Sequence, residues 1–114
     1  MNSISHIPKA EIHVHLEATI TPSLCRKFAK RNKVILSDDF FGSEYAYQWE
    51  DFYDFLKKYD IVTSVIHTPE DYYELTYAYL KECASHNVLY VEAMVSSTHA
   101  KAKGMTYQSF LDSI

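Results

Sequence analysis

The stretch that decides the fold is Ala10-Glu11-Ile12-His13-Val14-His15-Leu16-Glu17, in which polar and apolar side chains alternate without a break. Successive side chains of a β-strand point to opposite faces, so the stretch divides into two sets. The apolar face carries Ile12, Val14 and Leu16. The polar face carries Glu11, His13, His15 and Glu17. The alternation predicts a strand with one buried and one polar face.

Helix signals follow this strand. Thr21-Pro22 combines an N-cap hydroxyl with a proline at the first helical position, which predicts a helix over 22–32. Thr68-Pro69 repeats the signal and predicts a helix that runs to about Ala84. Two apolar stripes predict a further helix over 49–66. Residues 33–48 show no clear period and are expected to form a loop.

A second strand is predicted over 87–96, where a mostly apolar run suits a parallel strand covered on both faces. Helices between two parallel strands favour a right-handed β-α-β crossover. Residues 101–104 are expected to form a loop, after which Thr106 caps a last helix. The pattern is that of the beginning of a larger α/β domain.

Composition bounds the class of protein. The chain has 114 residues, 47% of them hydrophobic and 23% charged, which fits one globular domain or part of one. A net charge of −4 argues against nucleic acid as a partner. No apolar stretch approaches the ~20 residues of a membrane span, and no secretory signal precedes the first strand, so a cytoplasmic protein is expected. Cys25 and Cys83 are expected to be small core residues.

The pair His13 and His15 carries the chemistry, because two imidazoles on one side of a strand can bind zinc. On this spacing alone, surface histidines of an amphipathic strand are the favoured alternative. Glu11 fits equally a group that orients an imidazole and a solvent-facing carboxylate. Glu17 fits an acceptor for a polar substrate, although a solvated loop carboxylate is favoured by local sequence alone.

Three segments resemble the adenosine/adenine deaminase family of metal-dependent amidohydrolases. The first is its N-terminal motif: Pro8-Lys9-Ala10-Glu11-Ile12-His13-Val14-His15-Leu16-Glu17, continuing through Ala18-Thr19-Ile20-Thr21-Pro22. The second is similar to a helix of the family: Phe55-Leu56-Lys57-Lys58-Tyr59-Asp60. The third is similar to its second strand: Tyr90-Val91-Glu92 with Ser96. The resemblance covers nearly the whole chain.

The resemblance implies an α/β fold in which this chain is the N-terminal fragment of a (β/α)8 TIM-type barrel. A whole barrel needs ~250 residues, so residues 1–114 would form a single partial domain of about two βα units with a helical insertion. It also implies one zinc ion with His13 and His15 as ligands. Substrate-binding positions would be His15, Glu17, Phe52, Phe55, Leu56 and Tyr59. For the four residues of the predicted helix, core packing remains an equal alternative.

The reaction implied by the resemblance is hydrolytic deamination of a purine nucleoside or base, with adenosine or adenine as substrate. The family's remaining zinc ligands and catalytic acids match no residue here, so the chain alone is expected to be inactive, with an incomplete zinc site. Ala18, Met94 and Ser97 depart from the family pattern, which leaves the substrate open. His67, His86 and His99 match none of its motifs.

Two alternatives accompany the expectation of a truncated deaminase. The first is a non-catalytic helical module whose tyrosines bind a protein partner, since aromatic side chains are enriched at interfaces. The second is a chain that completes a barrel together with a separately encoded remainder.

Overall fold

The computed structural model describes residues 3–114. Its strands and helices follow one another along the chain in this order: β1 (Lys9–His15), α1 (Pro22–Asn32), β2 (Phe41–Ser43), β3 (Ala46–Tyr47), α2 (Phe52–Ser64), α3 (Pro69–Ser85), β4 (Val88–Met94), α4 (Ser97–Ala102) and α5 (Tyr107–Ser113). Short 3-10 turns precede β1, follow it over Leu16–Thr19 and precede β2.

Local capping chemistry explains where the main helices begin. Thr21 accepts a hydrogen bond from the N–H of Leu24 at 3.2 Å, with proline at the next position. Thr68 and Asp71 form a reciprocal capping box at the start of α3. Both helices therefore begin at the predicted residues, Pro22 and Pro69. Helix α2 begins at Phe52, three residues later than predicted, because Asp51 is its N-cap.

The prediction of a loop over 33–48 was wrong in part. A 3-10 turn ends at Phe40, and β2 and β3 then pair as a short antiparallel hairpin. Phe41 stacks on Tyr47 at a centroid distance of 5.6 Å, and the Arg26 guanidinium lies 3.9 Å from the Phe41 ring centroid. Tertiary packing thus specifies the hairpin, whose strands are too short to show a period. Helix α4 was also not predicted. It begins directly after the strand predicted over 87–96 and extends into the loop predicted over 101–104.

Strands β1 and β4 form a two-stranded parallel sheet, as the predicted crossover requires. Glu11 pairs with Val91 and Val14 with Ala93, so β1 has one residue more than β4 across this interval. The extra residue forms a bulge, in which His13 has a φ of 58°. The predicted strict alternation is therefore wrong: Ile12 is 67% exposed, whereas Val14 is half-buried.

The helices cover one side of this sheet. Leu89 and Tyr90 of β4 are exposed, so the expectation that both faces of β4 are covered was wrong for the described residues. The main core lies between the helices and the turn after β1, and its largest fully buried apolar side chains are Tyr72, Phe28, Phe40, Phe110, Ile20, Ile66, Leu75 and Val65. Cys25 and Cys83 are both buried, as predicted. Within residues 3–114, no helix is long and apolar enough to cross a bilayer.

Candidate metal centre and adjoining cleft

The two histidines of β1 lie side by side at the carboxyl end of the strand. Their ring centroids are 5.6 Å apart with an interplanar angle of 62°, and both side chains are exposed. The left-handed conformation of His13 is uncommon for a residue with a Cβ and costs on the order of 1 kcal/mol. Such strain persists where the surroundings impose it, and it is concentrated at functional sites.

The donor chemistry and spacing of this pair fit two ligands of one zinc ion. With a Zn–N distance of about 2.1 Å, each imidazole centroid lies about 3.2 Å from the metal, and a tetrahedral angle separates two such centroids by about 5 Å. The observed 5.6 Å is close to that value. A catalytic zinc takes three protein ligands, and residues 3–114 contain no group of three or more metal-binding side chains. The described residues thus contain no complete set of zinc ligands.

Glu17 is buried, with 1% of its surface exposed, so a solvated loop carboxylate is excluded. Its Oε1 accepts a hydrogen bond from the backbone N–H of Ser96 at 2.7 Å and from the Tyr72 hydroxyl at 3.1 Å. Burial, and then the neighbouring Glu17 charge, raise the pKa of the Tyr72 hydroxyl, which therefore stays a donor. The carboxylate joins the end of β1 to α3 and to the end of β4.

A cleft of about 380 Å³ opens beside these groups. It is lined by His15, Glu17, Tyr59, Met94, Val95, Ser96, Ser97, Thr98 and His99. The ring of Tyr59 contacts His15 and His99 edge to face, with centroid distances of 6.4 Å to each. Burial, together with the charges of Glu17 and Asp60, raises the pKa of the Tyr59 hydroxyl. The cleft therefore combines imidazole, carboxylate and phenol groups at the ends of two parallel strands.

An apolar cavity of about 120 Å³ shares Tyr59 with the cleft. It is lined by Ala18, Tyr47, Trp49, Phe55, Lys58, Tyr59 and Val62. Of the predicted cover residues, Phe55 and Tyr59 face this cavity. Phe52 and Leu56 line neither space, and they are 67% and 42% exposed. Phe52 stacks on Phe55 at 6.4 Å.

The carboxylate of Glu11 contacts α3 rather than the two imidazoles. It accepts a hydrogen bond from the Tyr79 hydroxyl, and the thiol of Cys83 lies 3.9 Å from it. The side chain is half-buried, so the solvent-facing alternative was wrong. Glu11 fastens β1 to the helix that covers it.

Sequence reasoning missed His99, which lines the cleft although it matches no motif. Its Nδ1 lies 2.5 Å from the hydroxyl of Ser96, the N-cap of α4. The available signal was the Ser-x-x-His spacing, in which an N-cap hydroxyl can reach a side chain three residues later. His67 and His86 make local contacts elsewhere, with the carbonyl of Ser64 and the carboxylate of Glu82.

Curated relatives of the chain include adenine deaminases. That of Rhizobium leguminosarum bv. trifolii is 39% identical over 109 residues, covering 96% of this chain and 33% of the relative. That of Stutzerimonas stutzeri is 33% identical over 112 residues, covering 97% of this chain and 35% of the relative. The chain thus spans about a third of the length of the curated relatives it matches.

Solved structures agree. An adenine deaminase from Arthrobacter aurescens superposes with a TM-score of 0.72 at 25% identity, covering 93% of this chain and 34% of that one. An amidohydrolase from Burkholderia ambifaria with bound zinc gives 0.78 at 20% identity, covering 96% and 30%. At 20% identity, the likeness to the Burkholderia ambifaria amidohydrolase concerns the fold alone. A sequence model of the adenosine deaminase family matches residues 8–114, and the chain therefore belongs to that family.

Proposed function

We propose that this chain contributes the first part of the active site of a metal-dependent purine deaminase. The observation that carries the proposal is the pair of adjacent imidazoles, 5.6 Å apart at the carboxyl end of β1, beside a cleft that also contains Glu17 and Tyr59. His13 and His15 would hold the metal. When bound, zinc supplies the Lewis acidity that makes water a nucleophile at neutral pH. Active sites of barrel enzymes lie at this end of the strands.

The chain's own residues would bind and orient the purine. Glu17 is fixed by hydrogen bonds from Ser96 and Tyr72, so its position costs no reorganisation when substrate arrives. Tyr59 lines both the cleft and the apolar cavity, and Phe55 lines the cavity; their aromatic surface favours a planar heterocycle and excludes water. Such fixed groups favour one orientation of the ring.

The charge of the cleft favours a neutral aminopurine as substrate, with adenine and adenosine as the candidates. None of the described residues that line the cleft is a lysine or arginine, while Glu17 lies in its wall. No lysine or arginine of this lining would pair with a phosphate group, which favours a substrate without one. One structural neighbour, from Arabidopsis thaliana, is an N6-methyl-AMP deaminase, and at 22% identity the likeness concerns the fold alone.

The sheet supports the proposal that residues 1–114 are a single partial domain from a (β/α)8 barrel. Ile12 and Leu89 are 67% and 73% exposed on strands whose helices cover only the other side. Strands of a closed barrel direct such side chains into an interior that further strands complete.

Metal binding tests the proposal in the full 114-residue chain. Zinc titration by calorimetry should give one site, and His13→Ala or His15→Ala should weaken binding at least tenfold. His86→Ala is the matched control, because the imidazole of His86 contacts the surface carboxylate of Glu82, and the backbone contacts of this residue do not depend on its side chain. Equal zinc affinity in all four proteins would contradict the assignment of the ligands.

Deamination requires the remaining ligands. A chimera in which this chain replaces the matching third of the Rhizobium leguminosarum adenine deaminase should release ammonia from an aminopurine, and His13→Ala should abolish that release. A chimera that folds, as judged by circular dichroism, and binds zinc but deaminates neither adenine nor adenosine would overturn the proposed function.

A further inference from the structure

Ser96 contacts two polar side chains of the same cleft, Glu17 and His99. Its backbone N–H donates to Glu17 Oε1 at 2.7 Å, and its hydroxyl lies 2.5 Å from Nδ1 of His99. The hydroxyl oxygen also accepts the backbone N–H of His99 at 3.4 Å. Ser96 therefore fixes a carboxylate acceptor and an imidazole relative to each other, although they lie far apart in sequence.

The contact between the Ser96 hydroxyl and the His99 ring is compatible with a tautomer of His99 that carries its proton on Nε2. A hydroxyl that accepts the His99 N–H can donate its own proton to Nδ1, which leaves the ring proton on Nε2. The Nε2 atom lies 3.7 Å from a carboxylate oxygen of Asp60, which is too long for a hydrogen bond. In this tautomer the imidazole has an N–H donor on Nε2; His99 lines the cleft, and 39% of its side chain is exposed.

Glu17 supplies the complementary acceptor. Both hydrogen bonds that the structure records for its carboxylate end on Oε1. Among the described residues, no donor to Oε2 is recorded, although Glu17 lines the cleft. An ionised carboxylate accepts about four hydrogen bonds, so Oε2 retains the capacity to accept one from a ligand.

We propose that His99 contacts the substrate and, together with Glu17, selects a free aminopurine base over its nucleoside. This inference rests on the proposed function. A free purine base presents the N9–H donor and the N3 acceptor side by side on one edge. Glu17 Oε2 accepts from N9–H, and His99 Nε2–H donates to N3. A nucleoside has no N9–H and carries its sugar at that position, so it leaves the carboxylate unpaired.

Binding of two probes to the full, zinc-loaded chain tests this assignment. Adenine and 9-methyladenine differ at N9 only, and ligand-observed NMR measures both affinities even when they are millimolar. The unmodified chain should bind adenine at least tenfold more tightly than 9-methyladenine, since sites built to hydrogen-bond a polar group reject analogues that lack it.

Variants of His99 separate a contact from a structural role. His99→Phe keeps an aromatic ring but removes the donor, and it should weaken adenine binding about tenfold. His99→Gln restores an N–H donor and should recover most of that loss. His86→Gln, at a surface histidine, should change neither affinity. A two-dimensional amide spectrum of each variant establishes that it remains folded.

The outcomes distinguish this inference from the proposal on which it rests. Equal affinities for adenine and 9-methyladenine, or full adenine affinity in a folded His99→Phe variant, would overturn the selection of a free base and leave the purine site standing. Zinc binding without detectable binding of either purine would overturn the proposed function as well.

Discussion

Replacing Asp71 by alanine removes an acceptor on which α1 and the start of α3 both depend. The carboxylate is fully buried, and its Oδ1 accepts a hydrogen bond from Arg31 at 2.6 Å. Its Oδ2 accepts from the amide of Asn32 at 2.8 Å and from the backbone N–H groups of His67 and Thr68, at 2.9 and 3.2 Å. Four donors therefore lose one acceptor each in a single substitution.

The expected loss in the free energy of unfolding depends on which donors to Asp71 are left without an acceptor. Removing the carboxylate half of the capping box costs about 1 kcal/mol in the free energy of unfolding. The half-buried amide of Asn32 keeps its bond to the carbonyl of Val65, so the N–H of His67 is the main group left unsatisfied, at about 1–3 kcal/mol. The Arg31 side chain is 39% exposed, so its ion pair adds at most about 1 kcal/mol. Together these terms give about 2–5 kcal/mol.

Urea unfolding of the full chain, followed by circular dichroism, measures this loss. Glu70→Ala is the matched control, because Glu70 is an exposed carboxylate in the same helical turn. The control should change the free energy of unfolding by no more than about 0.5 kcal/mol. If Asp71→Ala costs less than about 1 kcal/mol, the reasoning about its buried acceptors is refuted.

Three further predictions concern acid stability, the buried carboxylate of the cleft and thiol reactivity. Burial alone would raise the pKa of Asp71, but its hydrogen bonds hold it below the usual value. Its stabilisation is therefore present above pH ~4 and lost as pH falls through the folded pKa, and Asp71→Asn should flatten the acid limb of an unfolding curve. Glu17→Leu should destabilise the chain by about 2–4 kcal/mol in urea unfolding, since Ser96 and Tyr72 lose their acceptor, whereas Glu17→Gln keeps an acceptor oxygen and should lose less. Burial raises the pKa of Cys25 to about 11, so the native thiol should react with iodoacetamide at pH 8 far more slowly than the unfolded one; equal rates would contradict its burial.

The elements that local chemistry specifies could be predicted from sequence. The hydroxyl and proline at Thr21 and Thr68 act within one helical turn, so both helix starts are visible without tertiary information. The hairpin after α1 could not be predicted in this way. Phe40 is buried against the core, and Phe41 is held by Arg26, so residues distant in sequence decide its conformation.

The residues of the candidate site also fall into those that local sequence predicts and those that only tertiary structure brings together. His13, His15 and Glu17 are close in sequence, and the resemblance to the deaminase motif predicts all three as site residues. His99 enters the site because β1 and β4 are parallel, which places the residues that follow each strand at the same end of the sheet. No local pattern reports that pairing. The local sequence offers one indication of His99, which is Ser96, three residues earlier; its hydroxyl is hydrogen-bonded to the imidazole ring.

The bulge in β1 is a further feature that the sequence pattern did not predict, and it decides which side chains of this strand lie at the candidate site. In an undistorted strand, Glu11 would lie on the same face as both histidines, as the alternation predicted. The extra residue at His13 reverses the parity, so Glu11 turns to Tyr79 on α3 while the two imidazoles remain adjacent at the strand end. A left-handed residue costs about 1 kcal/mol, and here it separates a carboxylate that fastens the strand from the imidazoles that would bind metal. Strict alternation in a sequence therefore identifies such a strand but not the faces on which its side chains lie.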